Sequence, residues 1–182
     1  MRKHKMRFAV VNDDLIQYFL QSGNDFILNG IQYPSNWLQL SDVSQREALG
    51  IYPVNEATTP DQRFYWTGNE TYAFDATNKV VNATITATPK ELDGLKNTAN
   101  SQIISTAYSM LAPTDWYVSR YVDSNTAIPE NVSVFRPAVR ERSKVLRTSV
   151  AVANTVNDII ALYTNVDANT PAPIYDWPKL NQ

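Results

Sequence analysis

The chain contains no cysteine and a single histidine, His4. The first absence removes disulfides, thiolate metal sites and cysteine nucleophiles together. The second leaves a hydrolase triad or an imidazole-bound zinc without its usual base or ligand. His4 itself stands in the basic run Met1-Arg2-Lys3-His4-Lys5-Met6-Arg7, where a solvated terminal side chain is the ordinary expectation. Long apolar runs are missing too. The stretch Phe8 to Val11 stops at Asn12-Asp13-Asp14, short of the roughly 7 to 15 residues of a secretory core and the roughly 20 of a membrane helix. We therefore expect a soluble protein made in the cytoplasm, with no membrane partner. The sequons at Asn69, Asn82 and Asn131 read as chance polar matches without an export signal. The five glycines are scattered as turns and caps, so there is no phosphate-binding glycine loop, and no internal repeat is apparent. A formal net charge of -2 gives no global attraction to nucleic acid. No cofactor, metal or small-molecule substrate is expected.

What the chain does have is length and aromatic surface. Its 182 residues suffice to bury about 70% of the unfolded surface in one core or two small lobes. Four Trp, ten Tyr and six Phe supply side chains of the kind enriched at interfaces, although a core needs most of them. Residues 6 to 88 read as strand and turn. Arg7 to Val11 is β-prone, and Phe26 to Leu28 and Ile31 to Tyr33 flank Asn29-Gly30, the pair best suited to a tight hairpin. Asp42 with Gln45 makes a capping box for a short helix ending near Leu49, closed by Gly50. Ile51 to Val54 is extended. Arg63 to Trp66, Thr71 to Phe74 and Lys79 to Thr86 suggest a small antiparallel meander, with Gly68-Asn69 and Thr77-Asn78 as turns. In the last run Val81, Ala83 and Ile85 share one face. Phe64, Trp66, Tyr72 and Phe74 are expected to line a thin core.

The second half reads as helix. Thr88-Pro89-Lys90-Glu91 combines a cap, a first-turn proline and a third-position glutamate, and Leu92, Leu95, Ala99, Ile103, Thr106 and Met110 follow at helical spacing. Pro113 ends that helix near Ala112. Thr114 is placed to cap a new segment, Trp116 to Val122, which favours helix on that cap while its β-branched and aromatic residues also suit a strand. Ile128-Pro129-Glu130 opens a third helix carrying Val132, Phe135, Val139, Leu146 and Val150 on one sector. Pro137 is expected to kink this helix or delay its start. Thr155 with Asp158 begins a last short helix. The remaining segment, with Ile174-Tyr175-Asp176-Trp177-Pro178, is expected to be extended. Its Trp177 either folds back or docks on a partner.

The expected class is α+β: residues 1–88 a small antiparallel β-rich lobe, 89–163 a lobe of three to four helices, and 164–182 an extended tail. Glycoside chemistry needs two facing carboxylates, for which Asp13, Asp14, Glu56, Asp61 and Glu70 are the candidates. Most of these sit at turns and caps, where solvation accounts for them. Arg136, Arg140, Lys144 and Arg147 form a stripe on the third helix, able to hold phosphates or an acidic partner, or simply to shield the core with their stems.

Three patterns in the second half resemble the C-terminal region of bacteriophage tail assembly chaperone and tail-fibre-associated proteins, LLAxTDW, YRxAxR and a late WP. Here they stand as Met110-Leu111-Ala112-Pro113-Thr114-Asp115-Trp116, Phe135-Arg136-Pro137-Ala138-Val139-Arg140 and Asp176-Trp177-Pro178. Met replaces the first Leu, Phe replaces Tyr, and a proline enters the second pattern. The resemblance covers the last half and implies a virion or assembly role without catalytic residues. It implies a protein of the phage tail that binds other tail or fibre subunits in an oligomeric assembly, with a dissociable assembly chaperone as the alternative and a tail-borne cell-wall hydrolase as a third reading. Partner contacts are expected at Trp37, Trp66, Trp116, Arg136, Arg140, Tyr175 and Trp177. A guanidinium of the second pattern is expected to pair with Asp115, and Arg140 is the residue chosen to test it.

Overall fold

The computed structural model describes residues 6–180 and has an α+β fold. It divides into two compact units, Met1–Thr88 and Pro89–Gln182. His4 lies outside the described residues.

The first unit is built on strand β1 (Arg7–Asn12), in which four successive residues are buried. Side chains alternate across a strand, so Phe8 and Val10 enter one cluster with Leu20, Phe26, Leu28, Leu38 and Ile51. Ala9 and Val11 enter another with Val81. A strand buried on both faces belongs inside a sheet, and β1 lies between β2 (Leu15–Gln21) and β5 (Ile51–Asn55) in the order β2-β1-β5-β7-β6. Strands β6 (Tyr65–Asp75) and β7 (Val80–Pro89) complete the sheet. The edge strands β2 and β6 approach each other where Phe19 and Tyr72 bring their ring centroids to 4.5 Å.

Local instructions are obeyed closely. Asn29 and Gly30 adopt φ of 52° and 78° in the hairpin of β3 (Phe26–Leu28) and β4 (Ile31–Tyr33). After the single turn α1 (Trp37–Leu40), helix α2 (Val43–Ala48) has both capping-box bonds. Gln45 N–H donates to Asp42 Oδ1 at 2.7 Å, and Asp42 N–H to Gln45 Oε1 at 3.0 Å. Gly50 closes the helix at φ 68°, and a Cβ there would meet the Val11 carbonyl oxygen at 2.5 Å. That carbonyl-to-glycine approach leaves no space for another residue.

The sheet is antiparallel-rich as expected, with one parallel pair, β5 with β7. Three details of this unit differ from expectation. Gly68-Asn69 is no turn but lies within the eleven-residue β6, where Gly68 passes close to Thr86 and Thr71 Oγ1 bonds Thr84 Oγ1 at 2.9 Å. The meander is therefore one long hairpin, turned at Asp75, whose Oδ1 accepts from Thr77 and Asn78 N–H. Strand β2 was not read from the sequence at all. Its turn is Asp13-Asp14, both at positive φ. Of the expected core aromatics, Phe64 is buried, Tyr72 and Phe74 pack against the second cluster, and Trp66 is exposed.

The second unit is helical. In α3 (Leu92–Leu111) the buried residues Leu95, Ala99, Ile103 and Ala107 recur every four positions, one face of a helix. Helix α5 (Glu130–Val152) buries Val132, Phe135, Val139, Leu146 and Val150, and α3 and α5 pack together. Helix α3 starts later than expected: β7 runs on through Thr88 and Pro89, and Glu91 occupies the N-cap without a side-chain bond. Thr106 is only half-buried, Ala107 taking the inward position. Helix α4 (Asp115–Ser124) settles residues 116–122 as helix. Pro137 lies inside α5 and does not delay its start. In α6 (Val156–Tyr163) Asp158 N–H donates to Thr155 Oγ1 at 3.2 Å, while Asp158 Oδ2 accepts from Thr155 N–H at 2.8 Å.

The segment after Tyr163 belongs to this unit rather than forming a separate tail. Asp167 Oδ1 accepts from Asn169 and Thr170 N–H, and Pro173–Tyr175 forms a 3-10 turn with Ile174 buried. Arg142 of α5 donates to the carbonyls of Asp176 and Pro173, each at 2.7 Å.

Candidate interaction surface

The sharpest local feature of the second unit is the corner at its two prolines. Pro113 turns the end of α3 into a 3-10 turn, Ala112–Thr114. Arg136, only 8% exposed, reaches into this turn. Its Nη1 donates to Thr114 Oγ1 at 2.6 Å and to the Leu111 carbonyl at 3.1 Å, and its Nη2 donates to Asp115 Oδ1 at 2.8 Å. A buried guanidinium is tolerable because its donors meet a carboxylate, a hydroxyl and a carbonyl in one planar fork. Beside it Phe135, Val139 and Ala107 form a cluster against which Met110, Leu111 and Trp177 pack. Trp177 folds back, and its Nε1 donates to the Ile174 carbonyl at 2.8 Å.

Two expectations change here. Thr114 makes no side-chain cap for α4; its hydroxyl donates to the Leu111 carbonyl at 2.8 Å and accepts from Arg136. The partner of Asp115 is Arg136 and not Arg140, because Arg140 lies one helical turn farther along α5, about 6 Å up the axis, on the exposed side.

Around this corner the unit presents aromatic and apolar surface. None of the ten residues of α4 is buried. Trp116 is 51% exposed and Val122 77% exposed. Trp116 stacks on Tyr117 with centroids 3.9 Å apart, and the Arg120 guanidinium lies 4.8 Å from the Trp116 centroid. Arg120 Nε is shielded from water and has no hydrogen-bond partner among the described residues. Tyr175, 53% exposed, sets its ring edge-on to Tyr163 at 6.2 Å. The apolar residues of α4 lie on several sides of the helix, so no single stripe in the sequence marked Val118, Tyr121 and Val122.

In the first unit the two expected anchors part company. Trp37 packs within the first cluster, 4.9 Å from Tyr33 and 5.9 Å from Phe26. Trp66 is 65% exposed on β6. Sequence reasoning passed over further exposed apolar residues on β2 and at the β3–β4 hairpin, Leu15, Ile27 and Ile31.

The candidate carboxylates are engaged by cations or placed at turns. Arg7 donates to both Glu56 oxygens, to Glu70 Oε1 at 3.1 Å and to the Tyr72 hydroxyl at 2.7 Å. The Tyr72 hydroxyl, and after it Arg7, hold the Glu70 carboxyl below its ordinary value. Glu70 in turn pushes the Tyr72 phenol up. Asp61 pairs with Arg63, and Asp13 and Asp14 form the β1–β2 turn. A general acid in glycoside cleavage needs a raised carboxyl, and the shift at Glu70 runs the other way.

Open depressions of about 250 to 540 Å³ lie on the described surface. Among the described residues, no group of three or more His, Cys, Asp or Glu could hold a metal ion, and no helix is long and apolar enough to cross a membrane. The fold and its surface define a two-unit α+β protein with a knotted-down helical corner and exposed aromatic flanks. No family model matches the chain, and no curated protein or solved structure is significantly similar to it.

Proposed function

We propose that this chain is a non-enzymatic bacteriophage virion protein of the tail or tail fibre, working through contacts with other subunits of an oligomeric assembly. One observation supports the reading most. The three patterns behind the phage resemblance meet at one place: Leu111, Thr114 and Asp115 on Arg136, and Trp177 against the cluster of Ala107, Phe135 and Val139. Motifs that share one packed corner are coupled by structure, so their joint occurrence carries more weight than three short matches found separately. The exposed aromatic residues beside that corner, Trp116 and Tyr175, are of the kind that anchors protein interfaces.

Quantitative mass spectrometry of purified phage particles tests the proposal. Stoichiometric copies in the tail are expected. Abundance in infected cells with absence from particles would instead favour the dissociable assembly chaperone. Cell-wall lysis by the purified protein, lost when Glu56 and Glu70 are both changed to Gln, would replace both with the hydrolase.

A further inference from the structure

The basic stripe of α5 is divided by the fold. Arg136 turns into the corner, while Arg140, Lys144 and Arg147 stay outside and line a depression of about 430 Å³ with Asn100 of α3 and Ser143 and Thr148 of α5. The three cations succeed one another at about 6 and 4.5 Å along the helix axis, and like charges at such spacing repel. Among the described residues only Lys144 has an ion-pair partner, Glu141 at 4.0 Å, with both side chains largely exposed. Arg140 and Arg147 have none. A fourth cation, Lys96, is fixed to this flank by donating to the Ala151 carbonyl at 3.1 Å.

We propose that this groove binds an acidic helical segment of a partner protein, with carboxylates at three- and four-residue spacing facing Arg140, Lys144 and Arg147. The inference rests on the reading that the chain works through protein contacts, and it names the chemistry of one partner. Two observations favour a polypeptide over a nucleic acid. The four-then-three spacing of the cations is helical, and a second helix laid alongside repeats it. No aromatic residue lines the groove, so bases would find no stacking platform. The chain's net charge of -2 also gives a long polyanion no general attraction.

Fluorescence anisotropy on the full chain at low salt tests this with three labelled probes: a helical peptide bearing Glu on one face, the same peptide with Gln at those positions, and an oligothymidine strand. The Glu peptide is expected to bind at least about tenfold more tightly than the other two, and R140Q/K144Q/R147Q to weaken it by about tenfold or more. Lys179→Gln, away from the groove, is expected to leave binding unchanged. Equal binding of the Glu and Gln peptides, unchanged binding by a triple variant with native circular dichroism, or tighter binding of the oligothymidine overturns the proposal. Should the triple variant misfold, Arg140→Gln and Arg147→Gln taken singly must each weaken the Glu peptide, and no effect of either is equally fatal. The assay involves no particle. A negative result with the protein still stoichiometric in tails defeats the groove alone, and a positive one with the protein absent from tails defeats the virion reading alone.

Discussion

Arg7 in the β unit and Arg136 in the helical unit each gather several acceptors, yet they close different kinds of gap. Arg7 lies at the end of the inner strand β1, where Glu56, Glu70 and Tyr72 surround it and its own side chain keeps contact with water. Its guanidinium is held even more firmly protonated than usual, the hydrogen bonds to Glu56, Glu70 and Tyr72 outweighing desolvation. Arg136 lies in a helical corner, where its acceptors are the Leu111 carbonyl, the Thr114 hydroxyl and Asp115 and its own side chain is nearly buried. A network of side chains near water can rearrange around a lost member. A buried fork packed into a helix end has less room to do so, so the same residue type is worth more in the second unit.

Several substitutions would break or sharpen that contrast. The largest effects should come from the cores themselves, and they should stay local. Ile51→Ala and Leu146→Ala each remove a fully buried side chain and should cost about 2 to 5 kcal/mol. Hydrogen exchange read by mass spectrometry should show lost protection first in the unit that carries the change.

Next comes the corner. Arg136→Ala removes the donors to Thr114 Oγ1, the Leu111 carbonyl and Asp115 Oδ1 and should cost about 2 to 3 kcal/mol in urea denaturation, whereas Arg140→Ala should stay within about 0.5 kcal/mol. A charge swap of Arg136 with Asp115 would recover only part of the loss, since it does not restore the guanidinium bonds to Thr114 Oγ1 and the Leu111 carbonyl. Equal effects of the two arginine variants would overthrow the division drawn between them.

Removing a cap should matter less. Thr155→Ala deletes the acceptor for Asp158 N–H and should cost about 1 kcal/mol, measured the same way.

The smallest effect should be one of pH. Glu70 titrates below its ordinary 4.5 in the folded protein, so its contribution is complete above that value and is lost as pH falls through the lowered folded value. Glu70→Gln should therefore flatten the acid limb of a plot of urea midpoint against pH, while leaving its alkaline side alone. An unchanged acid limb would mean that the bonds from Tyr72 and Arg7 to this carboxylate add nothing to stability.

Both capping boxes, the Asn29-Gly30 hairpin and the Pro113 break were legible because each is settled within about four residues. Those signals act through the backbone groups nearest to them, and no distant contact is needed to decide them. The candidate surface was less legible. Exposed Trp66 and core-packed Trp37 look alike in sequence, since an isolated aromatic residue carries no record of what will cover it. Strand β2 was missed because Asp13-Asp14 is a poor advertisement for a tight turn, although both residues adopt positive φ, as Asp tolerates better than most.

Sequence alone determined the order of sheet then helices, the starts of α2, α5 and α6, the end of α3, and the content of no cysteine and one histidine, because composition and short-range spacing are properties of the chain itself. Tertiary structure alone decided that β5 and β7 run parallel, that Trp177 returns to α5, and that Arg136 is buried while Arg140 faces water. The reason is geometric: two arginines one turn apart on a helix are nearly equivalent until a neighbouring element closes over one of them, and which one it covers depends on chain segments more than twenty residues away.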